Sequence, residues 1–301
     1  MNIEDLELFV RTIEAGSISA AAQQMDLTPA AASAGLKRLE RQLGTPLMVR
    51  STRRLRLTEA GERFLVHCRE ALAALDAGRS AISAVQGKVA GRLRLSVSSD
   101  LGRNLVLPWL EEAMDQHPEL ALHLDVGDAL SDFYADRIDV ALRYGEPPDS
   151  SMVAFKVTDV ERLVCASPAY IRQHGVPDDP DALRQHNCLL YRMGERIYNQ
   201  WTFHGPDGRP VTVQVRGDRE SNDADIVRRW AVMGRGIVFK SVLDLAPDLI
   251  AGRLTRLLRD YPAPRGSLWL VCPGRRQVTP AVIFLRELLR EKCAALIASL
   301  H

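Results

Sequence analysis

The sequence predicts a multidomain chain in three parts: a helix-rich N-terminal module closed by a β-hairpin, one long linker helix, and a two-lobed α/β region. Three observations predict it. Thr28-Pro29 opens a helix whose apolar residues Ala32, Leu36, Leu39 and Leu43 recur at steps of four, three and four, while its other face is small and basic. After Thr58 a sustained four-three pattern runs through Phe64, Cys68, Ala71, Leu75, Gly78, Ile82 and Val85. Beyond the small-residue break Gln86–Gly91, strand and helix patterns alternate. At 301 residues the chain has room for two or three domains with buried cores.

In the first module, Leu6, Phe9, Val10 and Ile13 repeat at helical spacing and predict a helix whose apolar stripe packs beneath a later one. A second short helix follows Ser17 and breaks at Asp26 and Leu27. Thr28 is then an N-cap and Pro29 takes the first helical position, where its missing N–H is no loss. If Ala32, Leu36, Leu39 and Leu43 are buried, the 100° step leaves Ala30, Ala34, Lys37 and Arg41 exposed, with Ser33 and Arg38 at the edges. Small residues let a backbone approach base edges and thymine methyls, Ser33 can meet a base or a phosphate, and cations meet phosphates. Leu47–Arg50, Ser51–Arg54 and Leu55–Thr58 read as strand, turn and strand.

Net charge is only +1 and the pI about 7.7, so basicity is local. Between Ala30 and Thr58 the ionisable residues are Lys37, Arg38, Arg41, Arg50, Arg53, Arg54 and Arg56 against Glu40 alone, the footprint expected at a phosphate backbone. The segment therefore reads as a recognition helix followed by a basic wing. Its DNA-contact candidates are Thr28, Pro29, Ala30, Ser33, Ala34, Lys37, Arg38, Arg50, Arg53 and Arg54. An alanine-rich packing unit with a solvated basic loop is the alternative.

Thr58 can cap the linker helix, with Glu59 and Glu62 near its first turn. The four-three spacing is that of a seam between helices, and Ala71 and Gly78 permit close approach. Such a seam serves either a second copy of the chain or this chain's own next domain.

From Gly91 the order is a strand at Arg92–Val97, a helix at Leu105–Met114, a strand at Ala121–Val126, a short helix at Ser131–Asp136 and a strand at Ile138–Arg143, which predicts a mainly parallel sheet. After Pro147-Pro148 come a strand at Leu163–Ala166 feeding a helix at Ser167-Pro168, and a strand at Cys188–Tyr191. A hairpin then folds about Gly205-Pro206-Asp207-Gly208, followed by a helix at Ile226–Met233 and a strand at Ile237–Phe239. The tail returns with a strand at Leu268–Cys272 and an amphipathic helix from Pro280 to about Ile297.

No signal-peptide core and no run near ~18 apolar residues is present, which predicts a cytoplasmic protein without a membrane segment. Five scattered cysteines without C-x-x-C predict buried free thiols rather than disulfides or a metal site, and a Cys165/Cys188 switch has no spacing to support it. There is no G-x-x-x-x-G-K-[ST], H-E-x-x-H or G-x-S-x-G, so neither an enzyme nor a cofactor is expected.

Two sets of motifs resemble one family. Ser17-Ile18-Ser19-Ala20-Ala21-Ala22, Thr28 through Ser33 to Leu39-Glu40, Leu43-Gly44 to Arg50, and Leu57-Thr58-Glu59-Ala60-Gly61 resemble the winged helix-turn-helix of LysR-type transcriptional regulators. Ile138–Arg143, Ala166–Ile171, Gly234–Ile237 and Ala251–Leu254 are similar to that family's effector domain, which has the architecture of periplasmic solute-binding proteins. The resemblance spans essentially the whole chain. It departs at Ala34, where the family very often has Arg or Lys, and at Lys240-Ser241, where many members have an apolar residue and proline.

The resemblance implies a DNA-binding domain at 1–58, a dimerising linker helix at 59–87 and an effector domain at 91–301, with lobe I at about 91–160 and 266–301 and lobe II at about 161–265. It implies a double-stranded DNA operator, a small-molecule effector and self-association as dimer or tetramer, and it allows a contact with RNA polymerase. Ligands of two-lobed α/β folds sit at the carboxyl ends of strands, where helix N-termini favour anions. That points to Ser98, Ser99, Leu101, Gly127, Arg143, Ser167, Trp201, Asn222, Phe239 and Lys240 around a cleft for an anionic effector. Ser99, Ser167 and Asn222 would serve equally as plain helix caps, and Arg143 as a partner for a carboxylate.

Overall fold

A computed structural model of the chain describes residues 1–50, 55–85, 88–128, 133, 138–147 and 152–300. They fall into two compact units, Met1–Ile82 and Ser83–His301. The expected wing tip at Arg53 and Arg54, the short helix at Ser131–Asp136, Pro148 and the hinge residues Gln86 and Gly87 lie outside the described residues.

The first unit holds α1 (Ile3–Glu14), α2 (Ile18–Gln24), α3 (Pro29–Leu43), β1 (Met48–Arg50), β2 (Leu55–Leu57) and the start of α4 (Glu59–Val85). Short polar side chains set each start: Ser17 Oγ accepts from Ala20 N–H at 3.1 Å and Thr28 Oγ1 from Ala31 N–H at 3.2 Å. Gly44, at φ 68°, ends α3 in the left-handed conformation. Leu8, Phe9, Ala21, Ala22, Ala32, Leu36, Leu39 and Leu47 form the core. Alanines at the crossing let α3 lie close on its neighbours, and Gly35 lets it lie closer, since a Cβ there would sit 2.8 Å from Leu8 Cδ2.

The hairpin is pinned from both sides. Glu40 Oε1 accepts from Leu47 and Met48 N–H at 2.9 and 3.2 Å, tying α3 to β1. Thr58 Oγ1 donates to the Pro46 carbonyl at 2.8 Å and accepts from Gly61 N–H at 3.0 Å, so one hydroxyl closes the hairpin and starts α4. Along α4, Leu65 and Cys68 are buried in the module core with Phe64 packed against it. The seam expected from Phe64 onward therefore splits: its first turns face this core, because Phe64 stacks near Phe9, with ring centroids 5.9 Å apart. Leu75 and Ile82 remain 43% and 66% exposed.

The second unit begins with β3 (Gly91–Val97), α5 (Ser99–Leu101), a π-turn at Gly102–Val106, α6 (Leu107–Gln116), β4 (Leu120–Val126), β5 (Val140–Tyr144) and β6 (Val153–Val160). It continues with β7 (Arg162–Ala166), α7 (Pro168–His174), β8 (Leu190–Met193), β9 (Arg196–Ile197), β10 (Gln200–His204), β11 (Pro210–Gln214) and β12 (Glu220–Ser221). It ends with α8 (Ala224–Val232), β13 (Val238–Ser241), α9 (Val242–Ile250), β14 (Thr255–Leu257), β15 (Gly266–Cys272) and α10 (Pro280–Ala298).

Lobe I is a five-stranded sheet in the order β4-β3-β5-β15-β6. Its β4, β3 and β5 are parallel, but β15 pairs antiparallel with both β5 and β6, so the sheet is mixed rather than mainly parallel. The reason is topological: β6 carries the chain out of lobe I and β15 brings it back, so neighbouring crossings run in opposite directions. Lobe II has sheets β13-β7-β14 and β12-β8-β9 and the hairpin β10-β11, whose turn holds Gly208 at φ 76°. The strand expected from Cys188 starts at Leu190, with Cys188 in an isolated bridge to Ile237.

Gly61 carries the sharpest test of the module, because a Cβ there would stand 2.0 Å from the Leu47 carbonyl oxygen. Gly61→Ala must push α4 off the hairpin and should destabilise the module by about 1–3 kcal/mol. Amide hydrogen exchange on the full chain should then accelerate in residues 3–62 and stay unchanged beyond residue 91.

Candidate functional site

The outer face of α3 is built by elimination. With Ala32, Gly35, Leu36 and Leu39 buried, Thr28, Pro29, Ala30, Ala34, Lys37, Arg38 and Arg41 are exposed and Ser33 is half-buried. Arg38 is not a simple surface cation: its Nε donates to Asp5 Oδ2 at 2.9 Å and its Nη2 to Asp5 Oδ1. Asp5 is buried on α1, so this fork braces α3 against α1. The brace was missed from sequence. Its one signal was an acid placed a turn before Phe9 on a buried stripe. Arg50 is the last residue of β1, and Arg56 is exposed on β2.

In the second unit, a carboxylate sits where an anion was expected. Gly127 continues β4, its N–H donating to the Val97 carbonyl at 3.0 Å, and delivers Asp128 to the start of α5. Ser99 N–H donates to Asp128 Oδ1 and Ser99 Oγ to Oδ2, each at 2.7 Å. Across the lobes, Ala224 N–H, the first of α8, donates to Asp128 Oδ2 at 2.7 Å and reaches Ser99 Oγ at 3.0 Å. The cap of α8 is Asp223 rather than Asn222: its Oδ1 accepts from Asp225 and Ile226 N–H at 2.9 and 3.2 Å, while Asn222 is exposed. Arg103 Nη1 holds Asp223 at 2.8 Å, and this outweighs burial, so Asp223 titrates below the usual range.

Beneath this junction the lobes are joined by buried ion pairs. Lys240 Nζ lies 2.6 Å from Asp100 Oδ2 and 3.5 Å from Asp244 Oδ2, and donates to the Ala224 carbonyl at 3.0 Å. The carbonyl accepts one of its protons and the two carboxylates pair with its charge. Burial opposes its charge, but Asp244 and Asp100 outweigh burial and hold its pKa above the lysine norm. Arg228 donates to Asp100 at 3.0 Å, to Asp225 at 2.8 Å and to Asp248. Tyr144 Oη donates to Asp244 Oδ1 at 2.8 Å. The unusual Lys240-Ser241 pair thus has a reason: an apolar residue at 240 would leave Asp100 and Asp244 short of a cation.

The remaining expected cleft residues divide. Arg143, on β5, donates from Nη2 to Ser96 Oγ at 2.7 Å; burial lowers its pKa, with Asp128 and Asp125 acting against that. Leu101 is fully buried in the shared core and does not line a cleft. Trp201 and Phe239 stack at 5.2 Å inside the lobe II core, so their aromatic surface is spent on packing. Ser167 is the buried cap of α7, accepting from Tyr170 N–H at 3.2 Å, and is no part of the Asp128 donor set. Ser98 precedes α5 without a side-chain cap bond. A shallow surface dent lined by Arg162, Phe203, Arg256, Leu258, Tyr261 and Pro262 encloses no cavity; Arg162 and Phe203 pack on Phe239, and Arg256 is already paired with Glu161. All five cysteines are buried, and burial pushes the Cys165 and Cys188 thiols up to about 12, far from thiolate reactivity.

Two outcomes follow from the ion cluster. Lys240→Ala should destabilise the second unit by about 3–5 kcal/mol by orphaning buried carboxylates, and Asp100→Asn in the same chain should restore part of it, as urea unfolding would show. Burial pushes Asp100 up to about 7, against the pull of Lys240 and Arg228. A folded pKa above the unfolded one adds stability that is full at acid pH and is lost as pH rises through about 7. The melting midpoint of the wild type should therefore fall relative to Asp100→Asn as pH rises from about 4, where the unfolded carboxyl ionises, to about 7, where the folded one does, and level off above that.

Comparison with known proteins accounts for both units. Residues 3–62 match the bacterial regulatory helix-turn-helix protein, lysR family, and residues 86–294 match the LysR substrate binding domain. The chain is 31% identical over 268 residues to the HTH-type transcriptional activator TtdR of Escherichia coli K12, covering 89% of this chain and 86% of that protein. It is 30% identical over 289 residues to the HTH-type transcriptional regulator DmlR of the same strain, covering 96% and 94%. Among solved structures it is similar to CrgA, a LysR-type transcriptional regulator from Neisseria meningitidis, with a TM-score of 0.60 and 27% identity over 97% of this chain and 99% of that one. It is also similar to the full-length Vibrio cholerae virulence activator AphB, with a TM-score of 0.57 and 26% identity over 96% and 98%. Among the described residues no helix is long and apolar enough to cross a membrane. With a DNA-binding module at its N-terminus and an effector-binding domain behind it, the chain belongs to the LysR family of transcriptional regulators.

Proposed function

We propose that this regulator grips its operator through the outer face of α3 and the basic wing, and that a small carboxylate effector bound between the two lobes controls the grip. In this reading Ala30 and Ala34 allow close approach to bases, Ser33 reads sequence, and Lys37 with the wing arginines Arg50, Arg53 and Arg54 meets phosphates. Arg38 acts with its guanidinium already oriented by Asp5. Two chains associate through the exposed half of α4, at Leu75 and Ile82, and the protein works in the cytoplasm. The observation that carries the effector assignment is the convergence of Ser99 N–H, Ser99 Oγ and Ala224 N–H, from two lobes, on one carboxylate.

Lys37→Ala should weaken operator binding evenly across sequences and flatten its salt dependence by about one unit, whereas Ser33→Ala should change sequence preference. Fluorescence anisotropy over a salt series separates the two, and unchanged binding in both variants rules out α3 as the reading surface. Leu75→Lys with Ile82→Lys should shift sedimentation toward a smaller assembly, since each places a charge in an apolar contact. Calorimetric titration of small dicarboxylates into the full chain, with and without operator, tests the effector: its affinity must change with DNA by the same factor, five- to roughly 150-fold, as the operator's changes with it. Binding of none of them, or of neutral analogues alone, excludes a carboxylate.

A further inference from the structure

We propose that Asp128 is a built-in competitor of the effector, occupying the carboxylate position between the lobes until an external carboxylate takes its place. The proposal rests on the reading of that position as a carboxylate site. Both Asp128 oxygens are engaged: Oδ1 by Ser99 N–H, Oδ2 by Ser99 Oγ and by Ala224 N–H, all at 2.7 Å. Lobe I supplies the carboxylate and the serine; lobe II supplies the helix start. A single aspartate thus bridges the two lobes with charge-assisted hydrogen bonds.

The first three backbone N–H groups of α8 leave no opening. Ala224 is taken by Asp128 and Ser99, and Asp225 and Ile226 by Asp223. An entering carboxylate has to displace one of the two aspartates. Asp223 is a local cap, bound two and three residues along its own chain and held by Arg103. Asp128 reaches Ala224 from 96 positions away in sequence, so its departure leaves the Asp223 cap of α8 in place. It is the replaceable one.

Its surroundings suit any carboxylate. Arg143, Arg103 and Lys240 all sense the Asp128 charge, so exchanging it for an effector carboxylate keeps the local balance. A tethered group competes at an effective concentration on the order of millimolar, and the apparent affinity of an external ligand falls by the fraction of time the position stands open. Only an effector with further contacts would win in the wild type, which makes the competition a threshold for the response.

The full chain provides the test. Its four tryptophans, Trp109, Trp201, Trp230 and Trp269, all lie in the second unit, so their fluorescence during thermal unfolding follows that unit alone. Acetate is titrated at constant ionic strength, with acetamide as the neutral control. Asp128→Ala should melt below the wild type, and acetate should raise its midpoint saturably at concentrations about tenfold lower than any effect on the wild type. Acetamide should do nothing, and the Ser99→Ala, Asp128→Ala double variant should not be rescued. Asp128→Asn, which keeps the size and loses the charge, is read in the same way if Asp128→Ala does not fold. An equal or weaker acetate response in the Asp128 variants overturns the competitor while leaving the carboxylate site. Absence of response to acetate and to succinate in every protein overturns both.

Discussion

Charge pairing where the two α/β lobes meet is the constraint on which the second unit depends. Asp100, Asp225, Asp244 and Asp248 are buried around Arg228 and Lys240. None of these charges tolerates burial alone, since an uncompensated buried ion costs several kcal/mol. Each therefore dictates its neighbours' positions. Asp100 follows the first strand of lobe I, whereas Arg228 and Lys240 belong to α8 and β13 of lobe II, so satisfying the charges also sets how the lobes meet. The apolar core agrees with this arrangement, running without a break from Leu93 and Leu95 of lobe I to Val227 and Leu243 of lobe II.

Above that buried layer Arg103, Asp128 and Asp223 are less deeply buried and gather around a buried Ser99. Ser99, Asp128, Arg103 and Asp223 form hydrogen bonds that cross the same boundary, and on the proposed reading an external carboxylate replaces the internal one there. A buried, fully paired lower layer beneath an upper one open to exchange would let the domain keep its fold while registering a ligand. The energies differ accordingly: removing one partner of the lower layer strands a charge, whereas exchanging one carboxylate for another in the upper layer leaves the donors satisfied.

In the DNA-binding module the governing constraint is steric. Gly35 and Gly61 stand where Leu8 and the Leu47 carbonyl leave no room for a Cβ, and both closures aim the outer face of α3 and the base of the wing. Asp5 and Glu40 are the electrostatic part of the same frame. One orients Arg38 and the other holds the first residues of the hairpin, so two acids in a basic neighbourhood organise its geometry.

By itself the sequence determined most of the elements and their order, though not β6, α9 or β14, because helix caps such as Thr28 and Thr58, the steps of four and three in α3, and the turn at Gly205–Gly208 are local signals. It also carried the family, since the motifs from Ser17 to Gly61 are set by close packing and caps that few residues satisfy. Contacts distant in sequence were decided only by the tertiary structure. Lys240, read as a cation for a ligand, is consumed by Asp100 and Asp244; Trp201 and Phe239 are consumed by each other; Asn222 yields the cap to Asp223. Gly127 was read as a cleft residue, but Asp128 beside it was not, because its partners Ser99 and Ala224 are distant in sequence. Its role exists only because β4 and α8, 96 positions apart at Asp128 and Ala224, bring a carboxylate and a helix start to the same point.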